Sequence, residues 1–469
     1  MSFINEPARS IPVSHEADIC VLGGSCTGLF AAVRAARLGA RVVIVEKDNC
    51  FGGIATTSMV NVWHSLWSTD GQRQIIAGLT SEVIERLEHR GALRRYEKTN
   101  PSTGFAFNSE ELKIELDQLA LDSSHPSRPT GGAAGGGRLE ILFHTVFVAP
   151  SVNDDGRLEA VFIENKSGRS AIKAALFIDA TGDGDLAHRL GCPSYTATHT
   201  QPSTACARFS GWETLGDYSH RYGELLRQHG PDYGLPAGFA WGSDTPASRT
   251  HMLAATRIQN IDPANAADLT RGEIEGRRQV RAIHDLLRRA VPGSDLRLEA
   301  LPARLGLRES RHIRCAYQLT GDDVLGGRSF DDTIAQGSYR VDIHHQEKPG
   351  ITLRYLDGTE TYNVPGHPQV RGRWRPENTS AGTPDPVYYQ IPYRSLLPQG
   401  GHDNVIVAGR MLDADPVANG AIRVMVNLNQ TGEAAGVAAV LALRDGTGFP
   451  QVDPVRLRAA LRDGGSTLE

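Results

Sequence analysis

Several things are missing from this sequence of 469 residues. No uninterrupted apolar run reaches the ~18 residues that a membrane helix needs, which excludes a chain threaded through a bilayer by helices. There is no excess of positive charge: 49 Lys and Arg stand against 54 Asp and Glu, a net charge of −5. General binding to nucleic acid is therefore not expected, because such chains usually carry a basic excess or patch. A local basic pocket for an anionic substrate remains compatible with that balance. The six cysteines, Cys20, Cys26, Cys50, Cys192, Cys206 and Cys315, form no CxxC pair. Zinc-ribbon and thioredoxin-type readings lose their support, and six thiols in so long a chain point to a reducing compartment, most simply the cytoplasm. Residues 1–18 show no apolar core or small-residue cleavage site, so no secretory leader is expected.

What is present is glycine: fifty residues, about one in nine against a usual ~7%. Many backbone positions are expected to need φ > 0 or close approach to something else. The length suits two or three cores. Residues 1–17 read as a polar arm. An apolar run over 18–22 ends in Gly23-Gly24, a small-residue helix follows over 31–38, and a second buried strand covers 41–46. This is a βαβ unit. Helical patterns follow at 74–89 and 109–121. The segment 123–138, rich in Gly, Pro and Ser, reads as a surface loop, with a lid as the alternative. Strand-like runs cover 139–148, 158–165 and 171–178. From about 202 to 398 the βαβ signals thin out; a charged helix over 268–290 and a hairpin around Asp357-Gly358 mark this middle region. Strand 404–408 and helices near 431–443 and 454–461 return the chain to α/β.

The strongest local motif is Gly23-Gly24-Ser25-Cys26-Thr27-Gly28, at a strand-to-helix turn. Glu46 ends the next strand, and Lys47 follows it. That context is the one a dinucleotide fingerprint requires. Gly23 permits the tight turn, Gly28 lets helix and strand pack closely, and the helix N-terminus offers N–H groups to a pyrophosphate. Glu46 can accept hydrogen bonds from ribose hydroxyls. Ser25 replaces the usual second glycine; its Cβ narrows the room for pyrophosphate, while its hydroxyl can donate to phosphate. Cys26 reads either as a packing residue or as a thiol activated at a helix N-terminus.

Further motifs widen the pattern: Phe51-Gly-Gly-Ile-Ala-Thr-Thr57, Ala175-Leu-Phe-Ile-Asp-Ala-Thr-Gly-Asp-Gly-Asp-Leu-Ala187, Asn404-Val-Ile-Val-Ala-Gly-Arg410, Gly420-Ala-Ile-Arg-Val-Met425 and Thr431-Gly-Glu-Ala-Ala-Gly-Val437. The middle region adds Gly306-Leu-Arg-Glu-Ser-Arg-His-Ile313, Phe330-Asp-Asp332, Val341-Asp-Ile-His344 and Ile391-Pro-Tyr-Arg-Ser395. The set, from about residue 18 to 442, resembles the FAD-dependent oxidoreductases of the two-dinucleotide-binding-domain type, distantly similar to fumarate reductase and succinate dehydrogenase flavoproteins. The resemblance implies an α/β fold: a Rossmann-like FAD-binding domain in two parts, 18–205 and 396–469, with an inserted α+β substrate domain over 206–395. It implies noncovalent FAD, since no Cys or His matches a covalent attachment position. Gly52, Gly53, Ala55 and Thr56 would lie along the ribityl and flavin edge, and Ala180, Thr181 and Gly182 beside the adenosine or pyrophosphate end. Val148 would flank adenine, and Gly409 and Arg410 would return to the pyrophosphate. A helix beginning near Asn429 and Gly432 would point its N–H groups at the flavin.

A flavin oxidoreductase needs a proton acceptor, an anion or hydroxyl clamp and a dry pocket. Arg308 and Arg311, three apart, are read as a clamp, on one helical face or close in an irregular segment, or as partners of Glu309 or Asp322. His344 and His345 follow an alternating run; His344 is preferred as base, with a satisfied core histidine as the alternative. His64 could face the flavin or substrate, or simply pack. Arg423 precedes the flavin-facing helix and could neutralise reduced flavin or bind substrate. Asp179, Asp183 and Asp185 read as turn and capping residues, and no metal site is expected. The function expected is hydride transfer between a polar small molecule and FAD, with the electron acceptor open and a homo-oligomer compatible. The alternatives are a flavin monooxygenase or halogenase, or a flavin-binding partner protein without turnover. The monooxygenase reading ranks lower because Ala-Gly-Arg stands where a hydroxylase-type Gly-Asp would be. No second GxGxxG follows a strand, which argues against a separate NAD(P)H domain.

Overall fold

The computed structural model describes residues 2–100, 102–123, 137–198, 200–364, 367–376 and 384–468. The question whether the glycine-rich loop is a lid falls on residues 126–137, of which all but Gly137 lie outside the described set.

A seven-stranded sheet organises the dinucleotide half. Five strands run parallel in the order Arg138–Leu142, Arg41–Val45, Val13–Leu22, Gly168–Asp179 and Val405–Val407. The long strand Gly168–Asp179 is shared. Its second half pairs with Val405–Val407, and its first half carries the antiparallel strands Leu158–Asn165 and Val146–Val152. The run expected as one strand over 139–148 is divided at Phe143–Thr145, where His144 adopts a positive φ of 50°.

Helix Cys26–Arg37 is buried along almost its whole length, from Cys26 to Ala36. Its second neighbour is the long helix Met425–Asp445. The two touch backbone to backbone: a Cβ on Gly432 would collide with the Thr27 carbonyl, and one on Gly436 with that of Ala31. This helix begins at Met425, six residues before the expected start. The early turns carry Asn427, Asn429 and Gln430, which break the apolar pattern yet are buried and bonded to Tyr389, Thr80 and Gln336. The helix expected from residue 74 starts only at Leu79, behind Gly78 at φ 65°.

Between these halves the packing has two characters. Strands Trp241–Asp244, Thr250–Ala254, Ala207–Ser210 and Arg297–Ala300 form an antiparallel sheet against helices Tyr218–His229 and Ala266–Ala290. They hold an apolar core of their own, with Phe209, Leu253, Val280, Ile283 and Leu287. Helix Ala266–Ala290 starts two residues earlier than the sequence suggests because Asn265 caps it, accepting from Ala267 and Asp268 N–H. The strand pair Thr333–Gly337 and Tyr389–Pro392, and the meander Val341–His344, Ile351–Arg354, Thr359–Asn363, Val370–Arg373, are different. Ile334, Val341, Tyr389 and Ile391 join the same core as the two long helices. The meander thereby lays Val341–His344 against the dinucleotide half.

Candidate active site

One cavity of about 960 Å³ runs between these parts, at the upper end of the usual range of ~300–1,000 Å³ for ligand and cofactor sites. One wall is the fingerprint turn. Gly23, at φ 103°, brings its backbone so close to Ala180 that a Cβ would strike the Ala180 carbonyl. Ser25 caps helix Cys26–Arg37: its Oγ accepts from Gly28 N–H at 3.4 Å and keeps its own hydroxyl proton for a ligand. The departure from glycine at this position is therefore a helix cap. The Cβ of Ser25 packs beside Gly53, and Gly52 N–H donates to the Gly24 carbonyl at 2.9 Å.

Glu46 lies on the same wall with its carboxylate oriented by two backbone amides, Gly24 at 2.5 Å and Asp48 at 2.8 Å. Burial pushes its pKa up, against the pull of those amides. A carboxylate has about four lone-pair sites, so acceptor capacity remains for hydroxyls. Opposite, the turn after Asp179 is held by that carboxylate, which accepts from Thr181 N–H, Thr181 Oγ1 and Ala187 N–H. Asp183 pairs with Arg410 and accepts from Ser310 Oγ at 2.6 Å. Arg410 and Ser310 hold Asp183 below the usual carboxylate range although burial acts in the other direction.

Of the residues assigned to the cofactor, Gly23, Ser25, Cys26, Thr27, Glu46, Lys47, Gly52, Gly53, Ala180, Thr181, Gly182, Gly409, Arg410 and Asn429 line the cavity. Gly24, Gly28, Ala55, Thr56, Val148 and Gly432 do not. Gly24 orients Glu46. Gly28 has no room for a Cβ beside the Gly23 carbonyl. Ala55 is buried in the short turn Gly53–Ala55, and Thr56 bonds the Phe51 carbonyl at 2.7 Å, leaving Thr57 to face the cavity. Strand Val146–Val152 presents Val146 and Phe147 instead of Val148. Gly432 serves the helix crossing. Burial pushes the Cys26 thiol up to about 12, so it is a packing residue and no thiolate.

The facing wall comes from the middle region. His344, Arg308, Arg423 and His64 line it, together with Tyr339, Arg340 and Asp342, which the sequence reading missed. Asp342 sits at the centre. It accepts from the Tyr339 hydroxyl at 2.8 Å and lies 3.3 Å from both His344 Nε2 and Arg423 Nη2. Burial would raise its pKa, yet His344, Arg423 and Arg340 hold it well below the ordinary value. Burial lowers His344 to about 3, with Arg308 adding to the effect; burial, Arg340 and Arg423 do the same to His64. The His64 ring packs against Tyr339 at 4.1 Å between centroids, tilted by 57°, and among the described residues its buried Nδ1 has no hydrogen-bond partner. Asp342 was legible in principle: two residues before His344 on one strand, it shares the same face.

Arg308 forms no ion pair among the described residues. Its guanidinium donates to the Pro202 carbonyl and to Thr204 Oγ1 at 2.7 Å. Glu309 instead accepts from Gln201 N–H, and Asp322 lies on helix Gly321–Leu325. Burial, reinforced by Arg423, lowers Arg308 to about 10. Arg311 stands apart from Arg308. It opens strand Arg311–Ile313, and the two side chains go to different partners, so neither a helical face nor an irregular segment brings them together as a clamp. It donates to the Asp183 carbonyl at 3.1 Å and lies 3.6 Å from Asp185, outside the cavity lining.

A family model described as FAD dependent oxidoreductase matches residues 18–461. The chain belongs to that family. It is an oxidoreductase, and its cofactor is FAD. No curated protein sequence matches it significantly. Among solved structures, a geranylgeranyl bacteriochlorophyll reductase-like protein from Thermoplasma acidophilum is 12% identical, with 96% of this chain and 84% of that one covered and a TM-score of 0.46. p-Nitrophenol 4-monooxygenase from Pseudomonas putida is 11% identical, with 97% and 87% covered and a TM-score of 0.44. PqsL from Pseudomonas aeruginosa, solved with 2-aminobenzoylacetate, is 14% identical, with 96% and 92% covered and a TM-score of 0.42.

The residues present in the oxidoreductase fit FAD. The N-terminus of helix Met425–Asp445 has no side-chain cap, and Arg423, Val424, Met425, Leu428 and Asn429 bring it to the cavity. The first amides of such a helix need acceptors, and an anionic or carbonyl-bearing ring edge supplies them. This end, four residues before Asn429, replaces the helix start read from the sequence. Arg410 Nε is likewise buried without a hydrogen-bond partner. No described helix is long and apolar enough to cross a membrane, and no metal-binding cluster occurs among the described residues.

Proposed function

We propose that the oxidoreductase transfers a hydride between noncovalently held FAD and a polar, anionic small molecule, which is its partner in the cavity. The observation that carries this reading is Arg308, a partly buried cation that among the described residues forms no ion pair and donates to a carbonyl and a hydroxyl alone. A buried charge without a counter-charge is costly, and an anionic substrate group supplies the missing one. FAD, when bound, supplies the hydride acceptor or donor. Glu46, Ser25, the 180–182 turn and the N-terminus of helix Met425–Asp445 would hold it. Arg308 and Arg423 bind and orient the substrate anion. His344 is neutral at working pH; with Nε2 facing Asp342, its Nδ1 is the atom that takes or returns the substrate proton. Neutralising Arg308 by the substrate removes part of the field that depresses His344, so substrate binding makes the imidazole a stronger base. The part of the chain over 206–395 acts as the cap that chooses the substrate, on a cofactor domain of 18–205 and 396–469.

Two measurements test this. Acid precipitation should leave all yellow colour in the supernatant; colour in the pellet would overturn noncovalent binding. Anaerobic mixing with the substrate anion should bleach the absorbance near 450 nm, and Arg308→Ala should lose this at low substrate while keeping FAD. A variant that reduces its flavin normally would overturn the role of Arg308.

A further inference from the structure

We propose that the substrate is an amphiphilic acid, its anionic group on Arg308 and an apolar chain roughly 10 Å long lying along a row made by Cys206, Ala254 and Trp241. The proposal deepens the reading of Arg308 as an anion site and rests on it.

The row starts where Arg308 ends. Thr204, which accepts from Arg308 at 2.7 Å, is two residues before Cys206. In the sheet of the cap, Ala207 pairs with Leu253 and Trp241 with Ala254. Continuing that register puts Cys206 beside Ala254 and Ala254 beside Trp241. Directly opposed residues point to the same face of a sheet, and all three line the cavity. Two inter-strand spacings of ~4.8 Å give the length. The row belongs to one apolar cluster with Met59 and Met252. Cys206 is fully buried and its thiol is pushed up to about 12, so it closes the base of the row without adding charge. At the mouth Phe239, 40% exposed, extends the apolar surface toward solvent. Arg423 lies within electrostatic reach of Arg308, so one cavity offers a charged head site beside an apolar track. Cys206 and Ala254 are buried and back the row, so its accessible apolar surface is that of Trp241 and Phe239, and a short polar metabolite would leave those two rings without an apolar partner.

The test uses the FAD-loaded full-length enzyme and calorimetric titration with acetate, butanoate, hexanoate and octanoate. Affinity should rise about threefold to fourfold per methylene from butanoate to octanoate, as for a chain leaving water. Trp241→Ala should weaken octanoate about tenfold and leave acetate unchanged. Arg308→Ala should weaken every member by a similar factor. If Trp241→Ala fails to fold, Phe239→Ser at the mouth should weaken octanoate selectively by a smaller factor. Equal affinity along the series, or an unchanged slope in both variants, overturns the proposal while leaving the anion reading intact. Octanol binding as tightly as octanoate, with no effect of Arg308→Ala, overturns the anion reading itself. No binding by any member overturns both.

Discussion

The two walls of the cavity are built by opposite means. On the dinucleotide wall, close backbone approach at Gly23 and Gly28 shapes the surface, and every carboxylate is already engaged: Glu46 by two amides, Asp179 by its own turn, Asp183 by Arg410 and Ser310. On the facing wall, side chains from separate segments converge: Tyr339, His344 and Arg423 meet Asp342, and Arg308 stands beside them with no ion pair among the described residues. The first wall offers hydrogen bonds from an ordered backbone. The second brings together groups that can bind and exchange protons. A mutation on the first should therefore be felt in cofactor retention and stability, and one on the second in turnover.

The largest expected effect lies on the second wall. His344→Ala should slow flavin reduction by roughly 10²–10⁴, the usual worth of a general base, with FAD still bound; stopped-flow bleaching under nitrogen reads it, and a normal rate would dissolve the contrast between the walls. Next comes the helix crossing behind the first wall. Gly432→Ala must push helix Met425–Asp445 off the Thr27 carbonyl, at a cost of about 1–3 kcal/mol for overpacking. Chemical denaturation should show the lower midpoint together with weaker FAD retention. Glu46→Ala removes a charge-assisted acceptor worth about 1.5–3 kcal/mol. FAD affinity should fall about tenfold or more, measured by flavin release on dilution, without change in the rate of the fraction still loaded.

Acid pH separates the walls in another way. His64 and His344, each lowered to about 3 by burial, are protonated in the unfolded chain below ~6.5 but not in the fold. The unfolded chain then binds more protons, so their contribution falls as pH drops from about 6.5 toward 3. Asp179, raised to about 6 by burial, has the opposite sign between its unfolded value and 6, because the fold binds the extra proton there. Melting temperature against pH should therefore decline less steeply toward acid in His64→Gln than in the parent chain. Identical slopes would show that His64 is not buried neutral. The smallest effect is expected from Arg311→Ala: away from the cavity, it should change substrate affinity by no more than about twofold, as for a substitution within ~0.5 kcal/mol.

The two walls also differ in how far the sequence reveals them. The fingerprint turn is local: Gly23 to Gly28 and Glu46 lie within one βαβ unit, and each glycine answers a collision a short distance along the chain or on the adjoining strand. The facing wall depends on non-local pairing. Arg311 was read by spacing with Arg308, but a strand starts at that residue and turns its side chain to Asp183. Strand periodicity puts Asp342 on the face of His344, but its role comes from Tyr339, His344 and Arg423 meeting it. The start of helix Met425–Asp445 was hidden because buried Asn427, Asn429 and Gln430 look like surface residues until their distant partners are in place. Spacing alone cannot distinguish a solvated polar side chain from one whose partner is ninety residues away.

The contact between Thr27 and Gly432 has a consequence in time. During synthesis the nucleotide-binding turn leaves the ribosome some four hundred residues before the helix that backs it, and strand Gly168–Asp179 also emerges well before its closing partner Val405–Val407. At ~5–20 residues per second, that interval is roughly 20–80 s. Through it the nascent chain carries a half-built cradle whose apolar helix face has no cover. Cofactor capture is thus a late event in biogenesis, and a chain halted before residue 425 should engage holding chaperones and emerge colourless.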